Sequence, residues 1–281
     1  MLEAVELYKT FKSGASARYP LLGASLSVDD GEKVGIFGDS GEGKSTFANI
    51  LCGLVVPDAG NVYLDEIPLY GGGSGCFGGF GSVGKLKSAG ISGSGGRLAN
   101  AGKCGYNARV GRKIQIIPQQ PYLSLDPTQR AGSSVAEVLR AKRYSAAEAK
   151  KRACELFEKV ALDVALMDRL PSQLSGGQVQ RVAIARALAT QPDVLISDEA
   201  TAMLDTASQA QIVRIFDKIA KDDGISVIMI SHDLKLIRSF ADRIYRLENG
   251  VFDEYDAFDE YAENEEYAEN DTKEGAGGFN D

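Results

Sequence analysis

Residues 32–54 read "EKVGIFGDSGEGKSTFANILCGL", passing from an apolar run through a cluster of glycines into helical spacing. "EKVGIFG" has the composition of a buried strand that ends in glycine, and "KSTFANILCGL" that of a helix closed before Pro57. Gly38, Gly43, Lys44 and Ser45 fall on the spacing G-x-x-x-x-G-K-[ST]. Without Cβ atoms, the loop can turn its backbone N–H groups inward around an anion, and the helix start adds positive potential. The pattern therefore implies a phosphate cradle. Lys44 would reach the β- and γ-phosphates of a nucleotide, and the Ser45 hydroxyl would ligate Mg²⁺. Asp39, Ser40, Gly41 and Thr46 belong to the same binding loop.

Working outward, "AVELYKTF", "ASLSV" and "GNVYLD" read as short strands. "KIQIIPQQP" is a strand running into a proline-containing loop. "SSVAEVLRAKRY" and "SAAEAKKRACELFEKVAL" are helical, the second opening with the capping box Ser145/Glu148. Then "DVLISDE", "SQAQIVRIFDKIAKDD", "ISVIMIS" and "DLKLIRSF" alternate strand and helix. Such alternation predicts an α/β fold with a parallel sheet and crossover helices. "DVLISDEA" ends in Asp198, suited to a Mg²⁺ shell, and Glu199, suited to polarising an attacking water. His232, the only histidine, follows "ISVIMIS" at the kind of strand end where parallel sheets place ligands; it is a candidate hydrogen-bond donor to a γ-phosphate.

Composition bounds the rest. With 281 residues, 44% hydrophobic and 25% charged, the chain has the makeup of a soluble globular protein. Its longest strongly apolar run, "ISVIMI", is too short to span a bilayer, and the N-terminus has no secretory pattern. A cytoplasmic chain is expected, with any membrane association made through a partner. Cys52, Cys76, Cys104 and Cys154 fit no metal or redox spacing and read as reduced thiols. The formal charge is −8, but twelve acids and one lysine from Val251 onward contribute −11, leaving residues 1–250 at +3. No basic footprint for nucleic acid is present in the sequence.

Two segments stand apart. Residues 71–111 hold 15 glycines and few large apolar side chains, and read as a flexible insertion. Residues 251–281 repeat "EYAEN" at Glu260 and Glu266 and read as an acidic, low-complexity tail outside a 1–250 domain.

The stretch "LSGGQVQRVAIARALA", from Leu174, places two glycines at a helix start, where they cost roughly 0.5–1 kcal/mol each relative to Ala. Taken in order with the phosphate loop, "PQQP", "LISDEA", "AMLD" and "SHD", it resembles the nucleotide-binding subunit of ABC transporters across residues 1–250, less the glycine-rich stretch. The resemblance implies a P-loop NTPase fold of the ABC type, with a parallel-sheet core, an antiparallel β subdomain and a helical subdomain over about 119–173. It implies Gln119 as the Q-loop glutamine facing the γ-phosphate and Mg²⁺, and Asp205 as the D-loop aspartate. Phe11 is the aromatic expected on adenine, with Tyr8 and Tyr19 as rivals. Ala202 and Met203 depart from the family's usual Ser and Ala, which implies altered fine coupling. Ser175, Gly176, Gly177 and Gln178 would close on ATP held by a second ABC ATPase subunit, same or related.

"PYLSLDPTQ" and "TASQAQIVRIF" look like the peptide/nickel importer branch. That implies an ATPase at the cytoplasmic face of the cell membrane, attached to transmembrane permease subunits and served indirectly by a solute-binding protein. Its solute would be nickel, another metal, or di- or oligopeptides. The acidic tail lacks the clustered cysteines common in peptide-importing members, which favours the nickel-like form. An ABC ATPase of a soluble complex, such as the carbon–phosphorus lyase machinery, is the alternative. A DNA-maintenance ATPase would need long coiled coils, and a translation-factor type would need two cassettes.

Overall fold

The computed structural model describes residues 1–13, 16–71, 106–201 and 204–255. Two sheets share the molecule. The first is antiparallel and has the order β2-β1-β4-β5, from β1 (Leu2–Ser13), β2 (Ser16–Val28), β4 (Ala59–Leu64) and β5 (Ile67–Pro68). The second has the order β10-β9-β3-β8-β7-β6, from β3 (Lys33–Phe37), β6 (Ile114–Ile117), β7 (Val194–Asp198), β8 (Ser226–Ile230), β9 (Arg243–Glu248) and β10 (Val251–Glu254). Its strands run parallel except β10. The helices are α1 (Lys44–Leu51), α2 (Ala108–Gly111), α3 (Ala131–Ala141), α4 (Ala146–Lys159), α5 (Gly176–Leu188), α6 (Thr206–Asp223) and α7 (Leu234–Phe240).

The central strands β7 and β8 are buried at every position, as expected of parallel strands covered on both faces. Their side chains alternate between two cores. Val194, Ile196, Ile228 and Ile230 face one that includes α1 and the antiparallel sheet. Leu195, Val227 and Met229 face the other, which includes α3, α4, α5 and α6. The helices of residues 131–159 thus share a core with the sheet through α5. Within 119–173 every described regular element is helical. The Ser145/Glu148 capping box of α4 is formed, with Ser145 N donating to Glu148 at 3.0 Å and Glu148 N to Ser145 Oγ at 3.3 Å.

Three boundaries differ from the sequence reading. β1 and β2 are longer than the runs "AVELYKTF" and "ASLSV", because the proline- and glycine-containing stretch 18–23 still pairs with β1. The insertion assigned to 71–111 is shorter at its far end. Tyr106 pairs with Tyr70 in an isolated bridge, Asn107 N donates to Leu69 O at 2.8 Å, and Asn107 caps α2, whose Val110 is buried. One valine among many glycines was invisible to composition. The rest of that segment lies outside the described residues.

The domain also continues past residue 250. Asn249 (φ 51°) and Gly250 (φ 80°) form the tight turn that such dipeptides favour, and β10 returns along β9. Phe252 packs on Phe47 and Tyr245 at centroid distances of 4.6 and 6.2 Å, and Tyr255 meets Phe37 edge-on at 4.9 Å. Residues 256–281, with both "EYAEN" repeats, lie outside the described residues. Truncation after Gly250 is expected to destabilise the protein by about 2–4 kcal/mol, from the lost aromatic burial and pairing. Comparing its melting curve with that of a chain truncated after Tyr255 checks the boundary.

Candidate functional site

β3 delivers the chain into a loop with three glycines at positive φ: Gly38 (152°), Gly41 (96°) and Gly43 (113°). A Cβ at Gly38 would lie 2.4 Å from the Leu247 carbonyl oxygen, and one at Gly43 would lie 2.4 Å from the Pro20 carbonyl oxygen. Gly43 occupies the N-cap of α1 with no side-chain cap, so the helix start keeps its unpaired donors for whatever enters the loop. Lys44, only 5% exposed, bends back to donate to the carbonyls of Gly38 and Asp39 at 2.6 and 2.8 Å.

β7, two places away in the sheet, brings its acids to the same end. Ser45 Oγ donates to Asp198 Oδ1 at 3.1 Å. Glu199 adopts φ 48°, unusual for a residue with a side chain, and its N–H donates to Ile230 O at 2.9 Å. Gln119, just past β6, donates from Nε2 to Glu199 Oε2 at 3.0 Å. A cavity of about 420 Å³ opens here, lined by Lys44, Ser45, Gln119 and Glu199 together with loop residues and Phe11. Of the three aromatic candidates, Phe11 lines it, while Tyr8 and Tyr19 are exposed and do not. Arg18 and Pro20 of β2 also line it, and neither was anticipated. Their signal was period two in a strand that the sequence made hard to see.

Other expected residues lie elsewhere. His232 is exposed beyond β8 and is not among the residues lining the cavity. Ser175 caps α5 and forms a capping box with Gln178: Ser175 N donates to Gln178 Oε1 at 2.9 Å, and Gln178 N to Ser175 Oγ at 3.3 Å. The sequence reading missed this intrachain role of Gln178, although Ser-x-x-Gln is its signature. Gly177 is buried, with a Cβ there meeting Ser208 Oγ at 3.1 Å, whereas one at Gly176 would find only Leu204 at 3.8 Å. Asp205 caps α6, and hydrogen bonds from the Ser208 backbone and hydroxyl hold its carboxyl below the ordinary range. Ala202 and Met203 lie outside the described residues, as do Cys76 and Cys104. Cys52 and Cys154 are free thiols.

Burial holds the Asp198 carboxyl above its ordinary range, opposed by the Ser45 hydrogen bond, reinforced by neighbouring Glu199 and opposed again by Lys44. The native state therefore binds this proton more tightly than the unfolded chain. The desolvated charge weakens the fold above the raised pKa, and this cost is relieved as pH falls through it. Asp198→Asn is expected to raise the melting temperature at pH 7, by roughly 2–4 °C for each kcal/mol relieved, with the gain shrinking toward acid pH. Melting curves of both proteins across pH 4–7 (about the window of a raised carboxyl pKa) check it.

The comparisons agree with this architecture. The family model "ABC transporter" matches residues 21–202. A candidate peptide import ATP-binding protein of Brucella abortus (strain 2308) is 34% identical over 80% of this chain and 59% of its own length. The nickel import ATP-binding protein NikE of Shigella dysenteriae is 34% identical over 83% of this chain and 76% of its own. The methionine import ATP-binding protein MetN of Caulobacter vibrioides is 35% identical over 89% and 65%. The chain thus spans about three fifths of the length of the peptide-import relative. Among solved structures, the ATP-binding cassette MJ0796, in a dimeric post-hydrolysis state bound to ADP and Pi, superposes with a TM-score of 0.71 at 31% identity, over 91% of this chain and 98% of that one. With the phosphate loop, the acid-ended strand and the capped signature helix all in place on this fold, the chain belongs to the ABC transporter family, as an ATP-binding cassette.

Proposed function

We propose that the protein is the ATP-hydrolysing subunit of a membrane importer. The observation that carries this reading is the convergence, around one cavity, of the phosphate loop with Ser45, Glu199 and Gln119, Asp198 being bonded to Ser45. In this reading Phe11 stacks on adenine. The loop N–H groups hold the phosphates, Gly38, Asp39, Ser40, Gly41, Gly43 and Thr46 shaping the cradle. Lys44 exchanges its two loop carbonyls for phosphate oxygens.

The Ser45 hydroxyl and Asp198 carboxylate are hard oxygen donors in contact, a pair that would hold Mg²⁺. Bound there with Gln119 nearby, it would supply neutralisation of charge on the β- and γ-phosphates. Glu199 orients and polarises the attacking water, after Gln119 releases its carboxylate. His232, past the strand between those that carry the phosphate loop and Asp198, donates to the γ-phosphate. The helix start at Ser175, Gly176, Gly177 and Gln178 lines no part of this chain's own cavity. It closes instead on ATP bound to a second cassette, with Asp205 near that junction.

No helix among the described residues is long and apolar enough to cross a membrane. In this reading, attachment runs through permease subunits. Relatives named for nickel, peptide and methionine import support the importer reading at similar identity. The two branch-like stretches favour nickel or a small peptide, delivered by a solute-binding protein.

Glu199→Gln is expected to retain ATP binding and to lose about 10²-fold or more in turnover, because the amide keeps the shape but cannot act as a base. Near-normal steady-state hydrolysis would remove Glu199 from this role. The signature is tested at Gly176, because its open space leaves the monomer undisturbed, unlike Gly177 against Ser208. Gly176→Asp is expected to bind ATP normally and to hydrolyse poorly, its carboxylate repelling the partner's γ-phosphate. Mixing it with Lys44→Ala chains restores part of the turnover if two copies of this chain pair. Loss of ATP binding by folded, monomeric Gly176→Asp would place the signature in cis and overturn the dimer.

A further inference from the structure

We infer that Arg18 is a direct phosphate-chain contact of this cassette, a second cation at the site beside Lys44. The inference rests on the nucleotide reading above.

Arg18 sits opposite Phe11 in the β1–β2 pairing, at the mouth of the cavity. Strand periodicity puts Arg18 and Pro20 on one side of β2, and both line the cavity, while the intervening Tyr19 does not. The Pro20 carbonyl already abuts Gly43, so this side of β2 lies directly on the phosphate loop. Arg18 Nη2 donates to the Gly41 carbonyl, in the middle of that loop. A guanidinium has five donors, so this bond leaves others free to meet a ligand while the side chain stays anchored. Among the described residues no carboxylate pairs with it. Of the residues that line the cavity, Arg18 and Lys44 are the cations and Glu199 is the anion.

Lys44 is buried deep in the loop, whereas Arg18 is exposed at the rim, on the side of the aromatic expected to take adenine. A nucleotide stacked on Phe11 with its phosphates in the loop must run its phosphate chain past this guanidinium. The fork geometry suits phosphate oxygens, and the contact would be charge-assisted. Arg18 therefore adds affinity in proportion to phosphate charge and adds little for a nucleoside.

Arg18→Gln in the full chain tests this, with ATP, ADP and adenosine as probes in equilibrium binding at low and high salt. The expected result is about tenfold weaker ATP binding at low salt, a smaller loss for ADP and none for adenosine. The ATP difference should narrow at high salt, since an exposed ion pair is screened. The melting temperature of the nucleotide-free protein should not change. If Arg18 only braces the Gly41 carbonyl, the losses will be independent of salt or the free protein will melt earlier; either result overturns the inference. Equal ATP affinity of variant and wild type also overturns it and leaves the nucleotide site standing. A wild-type chain that binds no ATP overturns the nucleotide reading itself, and Arg18 with it.

Discussion

The loop between β3 and α1 is walled by backbone on two sides, and most of the architecture answers to that constraint. At Gly38 the wall is the carbonyl of Leu247 at the end of β9; at Gly43 it is the carbonyl of Pro20 on β2. Neither position has room for a Cβ, and both need positive φ. The loop can keep this path only if the parallel sheet holds β9 beside β3 and the antiparallel sheet holds β2 against the loop. The two sheets are therefore joined at the site itself. Further ties run the same way: Glu42 accepts from Asn249 N at 3.0 Å, and Leu22 N donates to Gly250 O at 2.8 Å.

Placing acids at the end of β7 has an electrostatic cost that the fold accepts. Asp198 is largely desolvated next to Glu199, and a single hydroxyl and one lysine offset this. That cost is largest at neutral pH, above the raised pKa of the carboxyl. Glu199 adds backbone strain at φ 48°. The same strand is apolar from Val194 to Ile196 and turns polar at Ser197 ahead of these residues, so stability and function are divided within one element.

That division explains what could be read beforehand. β3, β7 and β8 were legible because a short apolar run stopped by glycine or a polar residue has few other readings, and the motifs at Gly38 to Thr46 and at Asp198 and Glu199 lie at the ends of the first two. Gln119 and Ser175 became candidates only through the ordered set of motifs, since nothing local singles out a loop glutamine or a capping serine. β10 was hidden because its two acids sit at the head of an acidic tail, although Asn249–Gly250 was a turn signal. Val110 was hidden among glycines. Arg18 was hidden because Pro20 and Gly23 interrupt a strand whose register is set by β1 and not by its own pattern.

The bridge between Tyr70 and Tyr106 has a wider consequence. It brings two described segments, ending at Gly71 and resuming at Tyr106, together beside α1, where Tyr106 covers Gly53. A detour that starts and finishes at one doorway changes the closure entropy only logarithmically with its length. The Tyr70–Tyr106 bridge is thus a clasp that fixes two segments far apart in sequence at one point beside α1.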